Sequence, residues 1–406
     1  MTLTAKAVRR HILDILRPQE AIATRCPHTD MCGGCAFQDR DYATQVAAKH
    51  DMLEHVWADD LSETLQQDLM VVPSPNPFEY RTRMDYVASK GRFGLRRRGK
   101  FNYIVELEEC HLIPPQAFKI AQNVYQQAME LELPDYNLRS HEGFLRYIVV
   151  RRSPDNKLLL AAVTASQNFA IEMEQLARTA LSHEAVVGFH WLLNEGVADT
   201  SFGESIQHWG SATLPMQVVN RTLHIGPNTF FQNNVHLLQP LLDTIVELLK
   251  PIGRVVDLYG GVGTIALHIA DYVEHVTCVE SVAESVQLAQ MNISANGVSN
   301  MTAVESDVYP FLQKQFIGDF DLAIMDPPRV GLGPDVCTEL LRLRPQRIIY
   351  VSCNPLTLLE DARMLQSARG GTGQYRMTLF RGYDMFPHTP HVEALAIFDY
   401  EEINNQ

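Results

Sequence analysis

Seven cysteines are spread unevenly along the 406 residues, and two of their settings could do chemistry. In "YVSCNPLTL", Cys353 directly follows an apolar run and precedes Asn354 and Pro355. A free cysteine is more often a small buried hydrophobe than a reagent. At the exit of a strand, however, a thiolate can attack an electron-poor carbon. Glu393, in "HTPHVEALAIFDY", immediately precedes the closing apolar strand and can serve as a proton-abstracting base, with His388 and His391 as alternatives. The second setting is "CPHTDMCGGC", where Cys26, Cys32 and Cys35 follow C-x5-C-x2-C spacing; Cys110 comes later in "LEECHLIPP". Four thiolates suit zinc or a [4Fe-4S] cluster. Gly33 and Gly34 permit the tight wrapping that aims several sulfurs at one centre. The paired C-x2-C of a zinc ribbon is absent, which points towards iron, although spacing leaves the choice open. Cys278 and Cys337 read as packing residues.

The elements that must position these groups follow from the apolar pattern. From about residue 221 the rhythm is strand, turn, helix. "RVVDLYG" contains Asp257 and leads into Gly260, Gly261, Gly263 and the helical "TIALHIADYV". "HVTCVE" ends in Glu280, "TAVESD" near Asp307, "FDLAIMDPP" near Asp326 and "RIIYVSCNP" at Cys353. In an open α/β sheet the ligand site lies beyond the carboxyl ends of the strands, so these residues should converge. Upstream, residues 71–220 show short apolar runs broken by Pro, Gly and Asn, an α+β pattern with an antiparallel sheet. Residues 41–70 read as helical, and "MTLTAKAVRRHILDILRPQE" as a short amphipathic helix. The expected organisation is an N-terminal helical extension (1–20), an α+β metal- and RNA-binding domain (21–220) and a cofactor-binding α/β domain (221–406).

A glycine turn between strand and helix lets a ligand approach the backbone. Here the third glycine of the dinucleotide pattern is missing, but Glu280 stands where a ribose-hydroxyl partner is expected. "DPP" at Asp326-Pro327-Pro328 resembles the D/N-P-P loop of class I methyltransferases, which use S-adenosyl-L-methionine. The ordered set Asp257, glycines, Glu280, Asp307 and Asp326 favours that cofactor over NAD. A thiol at the next strand end implies a methyl acceptor that must first be activated. The C5 carbon of uracil is one: addition of a thiolate to C6 makes C5 nucleophilic, and a base must later remove the C5 proton.

Charge adds a partner. The net charge is -14, yet residues 80–100 carry eight Lys/Arg and only Asp85 as an acid. Tyr80, Tyr86 and Phe93 lie among them, with Phe101 and Tyr103 just beyond. Cations beside rings that can stack on bases suit single-stranded RNA, and the acidic remainder argues against indiscriminate binding to DNA. No run is long enough for a signal peptide or a membrane span. A cytoplasmic monomer is expected.

In combination, "CPHTDMCGGC" with Cys110, "FFQNN", "DLYGGVG", "DPPRVG", "SCNP" and "HVEALA" resemble the S-adenosylmethionine-dependent RNA (uracil-5-)-methyltransferases, in particular the iron-sulfur branch acting on 23S ribosomal RNA. The resemblance implies a Rossmann-like methyltransferase domain, a nucleophile at Cys353 and a base at Glu393. It also implies cofactor contacts at Gln232, Tyr259, Thr264, Glu280, Asp307 and Asp326, and a structural [4Fe-4S] cluster on Cys26, Cys32, Cys35 and Cys110. Only 25 residues precede Cys26, too few for the OB-like barrel of larger members. Ribosomal RNA is the expected substrate, with the thymidine-loop uridine of tRNA as the alternative. A non-catalytic, metal-stabilised RNA-binding factor is the competing class.

Overall fold

Five apolar runs that end beside a polar or reactive residue become five parallel strands in the computed structural model, which describes residues 4–249, 253–367 and 373–402. The chain divides into two discontinuous units, one of Met1–Ala21, Arg40–Pro75 and His236–Gln406, the other of Ile22–Asp39 and Asn76–Val235.

The first unit holds an eight-stranded sheet. Its order is Val71–Val72, Gly373–Tyr383, Glu393–Glu402, Arg347–Ser352, Leu322–Met325, Arg254–Leu258, His275–Glu280 and Met301–Glu305. The last five are mutually parallel, whereas Glu393–Glu402 runs antiparallel to both of its neighbours. Leu322–Met325 and Arg347–Ser352 are buried along their whole lengths, as expected of strands covered on both faces. Each parallel strand is followed by a helix: Thr264–Ile269, Ala283–Ala295, Val308–Leu312, Gly333–Leu343 and Pro355–Leu365. This is the Rossmann-like architecture expected for the C-terminal region.

The segment boundaries differ from those expected. Val71–Val72 pairs in parallel with Gly373–Tyr383, and Tyr42–Trp57 packs on Pro355–Leu365, so residues 40–75 join the first unit. Helix Ala5–Leu16 packs in turn on Tyr42–Trp57.

The second unit is a seven-stranded mixed sheet. It runs Lys100–Glu106, Arg92–Arg97, Arg83–Ser89, Leu145–Arg152, Leu158–Thr164, Val186–Leu193, Glu204–Gly210. Alternation divides its faces. Tyr86, Ile148 and Val150 join Phe118, Val124 and Leu176 of helices Pro115–Glu130 and Ala170–Leu181 in the main core. Val87, Tyr147 and Val149 form a smaller apolar cluster. Residues 214–225 form a hairpin that belongs to this unit. Among the described residues, no helix is long and apolar enough to cross a membrane.

Candidate active site

Parallel pairing brings Asp257, Glu280, Asp326 and Cys353 to one edge of the first unit's sheet, because each stands at or just beyond the carboxyl end of its strand. After Leu258 the chain turns sharply: Tyr259 (φ 62°), Gly261 (φ 55°) and Gly263 (φ 85°) all adopt left-handed backbone conformations. Gly260 is required for a different reason, since a Cβ there would lie 2.3 Å from Cys278 Sγ. Thr264 opens the helix that follows the turn.

Glu280 ties this turn to its own. One carboxylate oxygen accepts from the Gly261 N–H (3.1 Å), and the other accepts from the Ser281 and Val282 N–H groups (both 2.8 Å). Asp257 is buried beneath it and accepts from the Ala266 N–H at 3.1 Å. Burial pushes its carboxyl up to about 8; that N–H opposes the shift, while the Asp326 and Glu280 charges add to it. Asp307 caps Val308–Leu312 by position, is exposed, and makes no capping bond with its side chain.

Antiparallel register pairs Ser352 with Ala394 as the last pair of this ladder, and Cys353 and Glu393 are the residues next to that pair on either strand. Glu393 is 2% exposed, and its Oε1 has no hydrogen-bond partner. Burial holds its carboxyl well above the usual range, reinforced by Asp326 and opposed by Arg329. Cys353 is half-buried. Its thiol is pushed up to about 11 by burial and then by the Glu393 charge; Asp326 adds to this, while Arg329 opposes it through both its charge and a side-chain hydrogen bond. Backbone N–H groups at a strand-end turn would favour a thiolate. The surroundings of Cys353 do the reverse, and the lowering comes from Arg329.

Arg329 directly follows "DPP" within the "DPPRVG" motif, yet it has no role among those expected from the sequence. Neighbouring side chains hold its loop in place. Asn354 donates to the Arg329 carbonyl (2.9 Å) while its Oδ1 caps the following helix at the Leu356 N–H. Buried Asp361 accepts from Leu332 N–H (2.8 Å), Gly333 N–H (3.1 Å) and Tyr350 O–H (2.7 Å). The segment leading to Glu393 has its own anchor. Lys49 pairs with Asp384 at 2.5 Å, both fully buried, and donates to the Phe386 carbonyl at 3.1 Å. His388 is held by Gln45, which bonds both its ring Nδ1 and its backbone N–H. A lysine in a helix far upstream gives no sequence signal of this role.

Gln232, the remaining expected cofactor contact, is carried by the second unit, where its carbonyl accepts from Thr82 Oγ1 at 3.0 Å. In the same unit Cys26, Cys32, Cys35 and Cys110 border one small cavity. Burial and neighbouring thiols push Cys32 up to about 11 and Cys35 to about 12. Gly33 packs so closely that a Cβ would lie 2.8 Å from the Arg96 carbonyl. Arg98 donates to the carbonyls of Cys35 (2.5 Å) and Thr29 (2.7 Å). Among the described residues, no group of three or more His, Cys, Asp or Glu is arranged to hold a metal ion.

The basic island divides into distinct roles. Tyr80, Tyr86 and Phe93, expected as stacking rings, are buried at 0%, 0% and 3% exposure and belong to the core. Arg98 holds the cysteine loop, and Arg96 pairs with Asp199 at 2.5 Å. Phe101 and Tyr103 remain exposed.

Residues 211–399 match the family described as tRNA (Uracil-5-)-methyltransferase. An uncharacterized RNA methyltransferase of Caldanaerobacter subterraneus subsp. tengcongensis is 30% identical over 389 residues, spanning 93% of this chain and 85% of that protein. The tRNA (uracil(54)-C(5))-methyltransferase of Pyrococcus abyssi is 30% identical over 376 residues, spanning 92% and 85%. The crystal structure of the Pyrococcus abyssi enzyme in complex with S-adenosyl-L-homocysteine aligns with a TM-score of 0.76 at 28% identity, over 90% of this chain and 86% of that one. Family relationship, Rossmann-like sheet and carboxylate-lined edge agree: the chain belongs to the S-adenosylmethionine-dependent tRNA (uracil-5-)-methyltransferase family.

Proposed function

We propose that the chain methylates C5 of a uridine in RNA through a covalent bond from Cys353 to C6 of the base. The observation that carries this reading is that Cys353 and buried Glu393 lie just past the Ser352–Ala394 pair, at an edge where Asp326 and Arg329 also act on the thiol. Bound S-adenosyl-L-methionine supplies an electrophilic methyl group. Tyr259, Thr264, Glu280, Asp307 and Asp326 are proposed to hold it, and Gln232 is proposed as a further contact. The glycine turn fits such a ligand, since a Cβ on Gly261 would meet nothing within 4 Å. Arg329 stabilises the Cys353 thiolate, whose sulfur bonds C6 while the C5=C6 electron pair moves to C5 and O4. C5 then accepts the methyl group. Glu393 takes the C5 proton, the S–C6 bond breaks and the double bond re-forms. A raised carboxyl pKa suits a base working near neutral pH once it has lost its own proton.

The substrate proposed is tRNA, at the uridine given in the name of the Pyrococcus abyssi relative, position 54. The expectation of 23S ribosomal RNA draws no support from these relatives. The four cysteines are proposed to hold a [4Fe-4S] cluster that shapes their unit; the support is the common cavity they border, which Glu109 and His111 also line. Seven unpaired cysteines fit a reducing compartment, and the cytoplasm is proposed.

The test uses methyl-labelled cofactor with a tRNA transcript and a 23S fragment. Cys353→Ala should give neither methylated RNA nor adduct. Glu393→Gln should accumulate an RNA–protein adduct that survives denaturing electrophoresis and carries the label. Methylation of either RNA by Cys353→Ala would overturn the covalent route. Labelling of the 23S fragment alone would overturn the tRNA assignment.

A further inference from the structure

We propose that the second unit carries a pocket for one unpaired nucleotide of the RNA, separate from the sheet edge that carries Cys353; the proposal rests on the reading that RNA is the substrate. The pocket is a cavity of about 290 Å³ on the sheet face opposite the main core. This is close to the lower end, about 300 Å³, for sites that hold a single small ligand.

Its chemistry is that of nucleotide recognition. Tyr103 lines it with 55% of its surface exposed, offering a ring on which a base can stack. Tyr147 lines it too and is 6% exposed. The Asn102 amide can donate and accept along a base edge, and Asn137, whose Oδ1 already accepts from the Arg139 N–H at 3.0 Å, can donate. Lys90, Arg92 and Arg139 also line the cavity, and all three are exposed. None of the three belongs to an ion pair among the described residues. The acid that lines the same cavity, Asp199, is already neutralised by Arg96 at 2.5 Å and accepts from the Tyr147 hydroxyl. Arg92 donates to the Ile104 carbonyl at 3.5 Å, and cations outside any ion pair at one cavity of a chain carrying net charge -14 fit a phosphate there. One stacking ring, two amides and three cations match a base with its phosphates better than a continuous duplex, which offers no exposed base face.

The experiment uses the full-length protein with its metal content intact and the RNA it methylates. Tyr103→Ala should weaken RNA binding roughly 5- to 150-fold, the range for losing a base–aromatic stack. Tyr103→Phe should restore it. Lys90→Ala with Arg139→Ala should flatten the salt dependence by about 0.7 for each phosphate no longer neutralised. In each variant, affinity for S-adenosyl-L-methionine and kcat at saturating RNA should stay at wild-type values, with the loss appearing in KM. Photo-crosslinking should attach RNA to the peptide containing Tyr103 or that containing Tyr147. Wild-type RNA affinity and salt slope in these variants, with methylation intact, would overturn the pocket alone. A wild-type protein that neither binds nor methylates RNA would instead overturn the reading beneath it.

Discussion

The surroundings of Cys353 disfavour its thiolate. Burial and the Glu393 charge push its thiol up to about 11, and Arg329 is the group drawing it down. Because the thiolate is the reactive form, alkylation of Cys353 by iodoacetamide should rise about tenfold per pH unit between pH 7 and 9, read by peptide mass spectrometry. Arg329→Ala removes the lowering charge and should slow alkylation at every pH. Glu393→Gln removes a raising charge and should speed it. A rate that levels off below pH 8 in the wild type would show that another group stabilises the thiolate. The placement of Cys353 and Glu393 beside strands was legible in sequence because each adjoins an apolar run. Arg329 stood in the "DPPRVG" motif, but its effect on the thiol was not legible, since no local pattern records which side chain it meets. The thiol's acidity was not legible either, because it sums burial with the charge of Glu393 on one strand and those of Asp326 and Arg329 in the loop after another.

At the scale of the element, the strand Arg254–Leu258 bears a cost. Asp257 holds its proton up to about pH 8 in the folded chain, against an ordinary value of 3.8. Between these values the unfolded chain binds fewer protons than the folded one, so stability falls as pH rises. Asp257→Asn keeps an acceptor for the Ala266 N–H and removes the titration. Without cofactor it should raise Tm at pH 8 by at least about 2–4 °C, the shift that about 1 kcal/mol gives in a domain of 150–250 residues. The gain should shrink towards pH 4, where both states approach the neutral form. An equal gain at both pH values, measured by calorimetry, would mean that Asp257 is not the titrating group. The five strands and their polar ends could be read directly, because each is a short apolar-rich run that stops at a polar residue, and Leu322–Met325 and Arg347–Ser352, buried throughout, are near-continuous apolar runs. The grouping of Tyr42–Trp57 and Val71–Val72 with the C-terminal sheet could not, since a two-residue strand carries no alternation to read.

For the molecule as a whole, the basic island at residues 80–100 serves two purposes rather than one. Arg98 is spent on the carbonyls of Cys35 and Thr29, whereas Arg97 is exposed. Anaerobically purified protein should be brown and hold about four irons per chain. Arg98→Ala should lower that iron content, because it removes the donor that fixes the cysteine loop, while Arg97→Ala should leave it unchanged. Stoichiometric zinc without visible absorption would sink the iron assignment. Equal iron in wild type and Arg98→Ala would sink the role given to Arg98.

The sequence by itself determined which residue types stand at the strand ends: a thiol, carboxylates, a glycine turn and the "DPP" loop, since apolar periodicity alone marks where each strand stops. It also grouped Cys26, Cys32, Cys35 and Cys110, which border one cavity in the fold. Tertiary structure decided what those groups experience. Antiparallel register brought Glu393 alongside Cys353, burial removed the water that would have held both in their ordinary ranges, and Arg329 became the counter-charge. It also took Tyr80, Tyr86 and Phe93 into the core and left Phe101 and Tyr103 exposed. Side-chain accessibility depends on what packs against a strand from distant parts of the chain, and a local pattern of rings and cations does not record that.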